Sequence, residues 1–197
     1  NKEVNEKLPI LNKILSQVAH PAIRNKGTHG GSIAYGDPAA ELPAFAVLVN
    51  AEIILSGSDG ERIVSAKEFY KGLFETAINS DEILTSVKYS INQNDTKLFF
   101  DEVTRRHGDY AMAGLVGSIK QNNKINEEIN LVFFGTGDRP NEAPKTCEYL
   151  LKNEYNYSDI KDILKNDIDF ASDISSSSNM KAHLSAILVG RMMKELN

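Results

Sequence analysis

Apolar residues at Leu8, Leu11, Leu15 and Val18 recur at three- and four-residue spacing, which predicts an amphipathic helix over residues 5–19. Pro9 is tolerated in its first turn, and His20-Pro21 ends it. The period then shortens. Residues 52–56 and 62–64 read as strands about Ser58-Asp59-Gly60, a hairpin signal. Residues 66–72 read as a brief helix carrying Phe69 and Tyr70 into the core, and Leu84, Val87, Tyr89 and Ile91 form a strand of imperfect alternation after Asp81. Residues 97–105, 110–120 and 125–134 give three successive strands, the last two joined by Gln121-Asn122-Asn123, which predicts an antiparallel meander. Helical spacing returns at 142–152, 158–166 and 180–196, the last after a polar hinge at 175–178. The fold class is α+β, with two domains, 1–80 and 81–197, divided between Thr76 and Leu84. No repeat of supersecondary length is present.

Charge and composition narrow the chemistry. A net charge of -5 and a pI near 5.4 argue against a nucleic-acid partner, which needs a basic face. No apolar run approaches the roughly 20 residues that span a bilayer, so membrane insertion is not expected. Cys147 is the only cysteine, which excludes an internal disulfide and a cysteine-held iron–sulfur cluster within the chain. The histidines at 20, 29, 107 and 183 lack metal-ligand spacing, and no metal is expected. His20 reads as a helix-end residue, and Arg105, Arg106 and His107 as a solvated strand end.

One stretch departs from core patterning. Residues 23–43, IRNKGTHGGSIAYGDPAAELP, gather glycines, hydroxyls and acids. Gly30 and Gly31 admit positive φ and close approach to their amides, and Thr28 and Ser32 add hydroxyls, which together suit a phosphate or pyrophosphate. A tight turn between a helix and a strand fits the glycines equally well. The run matches neither G-x-G-x-x-G nor a phosphate-binding loop ending in Gly-Lys-Ser/Thr. Residues 32–35 read as a short strand, and Pro43 fits the first turn of a helix running through Phe45 and Leu48. Glu41 falls at the start of that helix, where a carboxylate is favoured electrostatically and can act as a cap.

The run RNKGTHGGSIAYGDPAAELPA resembles the second flavin-binding motif of the FAD-binding subunit of the molybdenum hydroxylases, the family of xanthine dehydrogenase and aerobic carbon monoxide dehydrogenase. It departs from the usual motif at His29, commonly isoleucine, and at Ser32, commonly asparagine. Further echoes are Phe69, the TRRHGDYAMA stretch, Arg139-Pro140 and the closing GRMMKEL, so the resemblance covers essentially the whole chain.

The resemblance implies the second subdomain of a PCMH-type FAD-binding domain, followed by a C-terminal domain of a three-stranded antiparallel sheet packed with helices. The family's earlier Gly-rich motif, A-G-G-x-(S/T), has no counterpart here, so an N-terminal subdomain is expected to be missing from this sequence. FAD is the implied cofactor, with Thr28, His29, Gly30, Gly31 and Ser32 on its phosphate-ribityl portion and Glu41 on a polar group. Tyr110 would cover one face of the isoalloxazine, with Asp109 close by, and Asp101 stands where many members have a cofactor-reaching lysine. The implied partners are a large subunit with the molybdenum cofactor and a small subunit with [2Fe-2S] clusters, in a cytoplasmic oxidoreductase. A non-catalytic scaffold without flavin is the alternative, favoured by the absent first motif and by Asp101. A self-contained flavin oxidase or reductase would need its own acid/base constellation, and none is present in the sequence.

Overall fold

The computed structural model describes residues 2–90, 95–123 and 125–196. Ile91, which the sequence assigns to a strand, lies outside them. The first half opens with α1 (Lys2–Lys7), α2 (Pro9–Gln17), α3 (Pro21–Arg24), α4 (His29–Tyr35) and α5 (Glu41–Leu48). The single helix expected over 5–19 is broken at Leu8, whose φ of -140° and ψ of 62° are not helical. Pro9 is the cause: its ring disfavours helical geometry in the residue before it. β1 (Glu52–Gly57) and β2 (Gly60–Ser65) then form the expected hairpin. Next come α6 (Ala66–Phe69), a small hairpin of β3 (Tyr70–Gly72) and β4 (Glu75–Thr76), and β5 (Ile83–Lys88). β5 pairs antiparallel with β1, giving a three-stranded sheet in the order β2-β1-β5. The expected division at 80/81 thus falls just before a strand that hydrogen-bonds into the first half.

The second half is built on a sheet of β6 (Thr96–Val103), β7 (Ala113–Asn122), β8 (Ile125–Phe134) and the short β9 (Asn141–Glu142). The three long strands are the expected antiparallel meander, and β9 is a fourth strand added at the β8 edge. α7 (Pro144–Lys152), α8 (Tyr157–Asp167) and α9 (Ser178–Leu196) follow. The polar stretch before α9 is held by Asp173, which accepts from the amides of Ser175 and Ser176 and pairs with the buried Lys181 at 2.6 Å.

This sheet is buried on both faces, which explains its adjacent aromatics. Phe99, Leu115, Leu131 and Phe133 face a core with Leu188, Val189 and Met192 of α9. Phe100, Val116, Val132 and Phe134 face the opposite way, into a core with Phe45 and Val47 of α5. Side chains alternate along a strand, so Phe99-Phe100 and Phe133-Phe134 each feed both cores. The two halves therefore share one hydrophobic layer.

Gly114, paired with Phe134 across the β7–β8 ladder, makes room for that ring. A Cβ at Gly114 would sit 2.0 Å from Phe134 Cζ, and Phe134 is itself stacked on Phe100 at 6.1 Å. Gly114→Ala is expected to destabilise the fold by about 2 kcal/mol, the usual order for overpacking a core, measured by chemical denaturation. An unchanged midpoint would show that the Phe134 ring is free to move aside. Among the described residues no helix is long and apolar enough to cross a membrane.

Candidate functional site

The unusual stretch folds as two short helices and a tight loop. α3 has Pro21 at its start, and Arg24 Nη1 donates back to the carbonyls of Val18 and Ala19 at 2.7 and 2.8 Å. Residues 32–35, expected as a strand, lie instead within α4. Gly30 and Gly31 belong to the same helix, and neither has the positive φ that a turn would demand. Their absent side chains serve close approach. Thr28 caps α4 through Oγ1, which accepts from the Gly31 amide at 3.0 Å, and a Cβ at Gly31 would lie 2.8 Å from that oxygen. Gly30 presses on β5, where its Cβ would meet the Leu84 side chain at 3.4 Å. Ser32 donates its amide to the Thr28 carbonyl, and the amides of His29 and Gly30 have no partner among the described residues, as expected in a first helical turn. Gly36, at φ 65°, ends the helix.

The loop that follows is anchored to both halves. Asp37 is buried and accepts from the Ala39 amide at 2.9 Å, while the Pro38 carbonyl accepts from Gly135 N–H at 2.8 Å. Glu41 is the first residue of α5, as expected. On the other side, residues 104–112 connect β6 and β7, closed by Met112 N–H donating to Val103. Tyr110, expected at a strand start, lies in this connection and is 72% exposed. Arg105, Arg106 and His107 are exposed, as expected for a solvated segment. The same connection packs on the end of α2's chain: a Cβ on Gly108 would lie 2.5 Å from the His20 ring.

These pieces enclose a cavity of about 750 Å³, inside the range of roughly 300–1,000 Å³ usual for cofactor and ligand clefts. Of the residues the sequence singles out, Thr28, His29, Gly31, Ser32, Glu41, Asp109 and Tyr110 line it, and Gly30 does not. His20, Tyr35 and Asp37 also line it, though their sequence context marks them only as helix end and turn. Leu15, Val18 and Leu42 supply an apolar flank.

Glu41 in the cavity wall, and Glu102 behind it, hold on to their protons well above the usual carboxylate range. Burial pushes the Glu41 carboxyl up to about 7, with Asp37's charge adding to it. Glu102 of β6 is pushed up to about 8 by burial first and then by the charges of Glu41 and Asp101, and its Oε2 is buried without a partner. Asp37's charge, ahead of burial, raises the Tyr110 phenol. Burial lowers His29. Two neighbouring carboxyls that hold protons do not repel an anion, and protonated they can donate as well as accept. Hydroxyl and amide donors at the start of α4, with a phenol and carboxyls opposite, fit an elongated ligand that has an anionic section and polar hydroxyls. FAD has that character, with its diphosphate as the anionic section. Asp101 is not in the wall: its Oδ2 accepts from Arg191 Nη1 of α9 at 2.7 Å.

Known proteins resemble the chain along both of its halves. Residues 1–89 match the model for the FAD binding domain in molybdopterin dehydrogenase, and residues 99–196 the model for the CO dehydrogenase flavoprotein C-terminal domain. The glyceraldehyde dehydrogenase medium chain of Sulfolobus acidocaldarius is 32% identical over 199 residues, covering 100% of this chain and 70% of that one. Caffeine dehydrogenase subunit beta of Pseudomonas sp. CBB1 is 26% identical over 93% of this chain and 64% of its own length. Among solved structures, quinoline 2-oxidoreductase from Pseudomonas putida 86 superposes with a TM-score of 0.86 at 28% identity, over 98% of this chain and 68% of that one. The chain thus spans about two thirds of the length of these relatives.

Proposed function

The chain belongs to the FAD-binding medium subunits of the molybdenum hydroxylase family, and from that premise we propose that it holds the FAD through which electrons leave such a complex. Its proposed partners are a large subunit with a molybdenum cofactor, where substrate is oxidised, and a small subunit with [2Fe-2S] clusters. The acceptor is external, a soluble carrier or a quinone, and the same proposal places the complex in the cytoplasm. When bound, the flavin supplies the capacity to take electrons from a cluster one at a time and release them in pairs.

One observation carries the reading. Thr28, His29, Gly31 and Ser32 on one side and Asp109-Tyr110 on the other, far apart in sequence and on different halves, line a single cavity. Thr28 and Ser32 bind the diphosphate and its neighbourhood through their hydroxyls, with the uncommitted amide of His29 beside them and Gly31 leaving room for the approach. Glu41 meets a polar group of the cofactor, and the exposed Tyr110 ring lies over the flavin ring system and restricts access to one face. No acid or base of this chain takes part in substrate chemistry. Asp101's carboxylate is engaged with Arg191, so its presence in place of a lysine leaves no unpaired charge beside the cofactor.

Full-length protein purified with its partners is expected to show the visible flavin bands at stoichiometric FAD. Colourless protein that stays colourless after incubation with FAD would replace this reading with that of a non-catalytic scaffold.

A further inference from the structure

His29 stands in the cofactor-facing turn, but its side chain is tied to a residue well outside that motif. Its Nε2 lies 2.6 Å from the hydroxyl of Tyr89, which directly follows β5, and the two rings meet edge to face at 5.6 Å. Tyr89 in turn leans on Phe45 of α5, with ring centroids 5.5 Å apart. Gly30 presses on Leu84 of the same strand, so β5 and its end brace the start of α4 at two successive positions. Burial raises the Tyr89 phenol, which keeps its proton, and lowers His29, which stays neutral. Among the described residues His29 Nε2 is the one partner of the Tyr89 hydroxyl, and the nearby Tyr70 hydroxyl is buried without any. A neutral imidazole that accepts at Nε2 carries its own proton at Nδ1.

We propose that Tyr89 is a positioning residue for the cofactor cavity: by donating to Nε2 it fixes His29 as the Nδ1–H tautomer, and that N–H serves as an extra donor to the anionic portion of FAD. The proposal rests on the flavin reading above. A hydrocarbon side chain at position 29 offers no such donor, so the pair gives this chain a contact that the commoner isoleucine cannot make. The tyrosine acts through the histidine and has no place in the cavity wall itself.

Long-range ¹H–¹⁵N correlation on the labelled full-length chain reads the tautomer, and fluorescence titration of the apo-chain with FAD reads the affinity. Wild type is expected to show His29 as Nδ1–H. Tyr89→Phe keeps the ring packing and is expected to give a mixture of tautomers with FAD affinity about tenfold weaker, the loss of one hydrogen bond to a charged group. His29→Ile loses about the same factor, and combining it with Tyr89→Phe costs nothing further, because the two act as one unit. His29→Gln, which both accepts from Tyr89 and donates onward, retains most of the affinity. A wild-type His29 in the Nε2–H form, or His29→Gln as weak as His29→Ile, overturns the proposal. If wild type takes up no FAD, the flavin reading falls and this one with it. Bound FAD with unchanged affinity in Tyr89→Phe sinks this one alone.

Discussion

Replacing Gly31 with tryptophan is expected to weaken FAD binding at least about a hundredfold, or ~2.7 kcal/mol, while the chain remains folded. Even a methyl group at this position would lie 2.8 Å from Thr28 Oγ1, the oxygen that caps α4. The cap must then shift, at a cost of ~1 kcal/mol to a helix that is only one part of its half. An indole goes further and fills the cavity into which Gly31 opens. Flavin absorbance per protein after reconstitution measures the loss, and circular dichroism confirms the fold. Equal flavin content in the variant would mean that the cofactor lies elsewhere. Gly30→Ala, whose new methyl only touches Leu84, should by contrast leave binding nearly unchanged.

The apo-chain is expected to lose stability as pH rises from about 4.5 to about 8. Glu41 and Glu102 hold their protons up to about 7 and about 8 when folded, against 4.5 for an ordinary glutamate. These two carboxyls bind more protons in the folded than in the unfolded state across that window. They outweigh the single proton that His29, lowered by burial, takes up only on unfolding below its ordinary value of 6.5, and the linkage sign follows: stability declines as pH rises through the window. A tenfold change in proton affinity corresponds to ~1.4 kcal/mol, so Glu41 alone contributes on the order of 3 kcal/mol at the alkaline end. Glu102 adds less than its higher value suggests, because solvent reaches part of it and because the two carboxyls titrate as a pair. Denaturant midpoints at pH 5 and pH 9 test this. Glu102→Gln should be close to neutral at pH 5 and stabilising at pH 9, and a wild-type profile that is flat or rises with pH would contradict the arrangement.

The motif was legible in the sequence because it fixes order over some twenty residues, and because Glu41 sits where a helix start favours a carboxylate. The local structure of its centre was not. Two adjacent glycines carry a strong turn preference, and that preference outweighed the one helical signal present, a threonine at 28 placed to cap the amides that follow. The glycines proved to serve close approach on two sides, Thr28 on one and Leu84 on the other, a requirement that local propensity does not encode. Asp37 reads as a turn residue because Asp-Pro is one, and only the fold shows it buried in the cavity wall beside Tyr110. His20 and Tyr89 gain their roles from residues at distances of dozens of positions, beyond any window of pattern reading. The adjacent phenylalanines at 99–100 and 133–134 did hold a usable signal. A strand with bulky apolar side chains on both faces needs cover on both, which predicts the shared layer between α5 and α9.

The amide of Gly135 holding the carbonyl of Pro38 has a bearing on how such subunits can be recombined. A chimaera joined between Lys88 and Thr96 would draw these two atoms from different parents, along with Gly108 and the His20 ring it touches. Crossovers there should succeed only when the donor's β8 end and tyrosine-bearing connection are matched to the recipient's Asp-Pro loop, so the seam between the family's two modules is a poor place to cut.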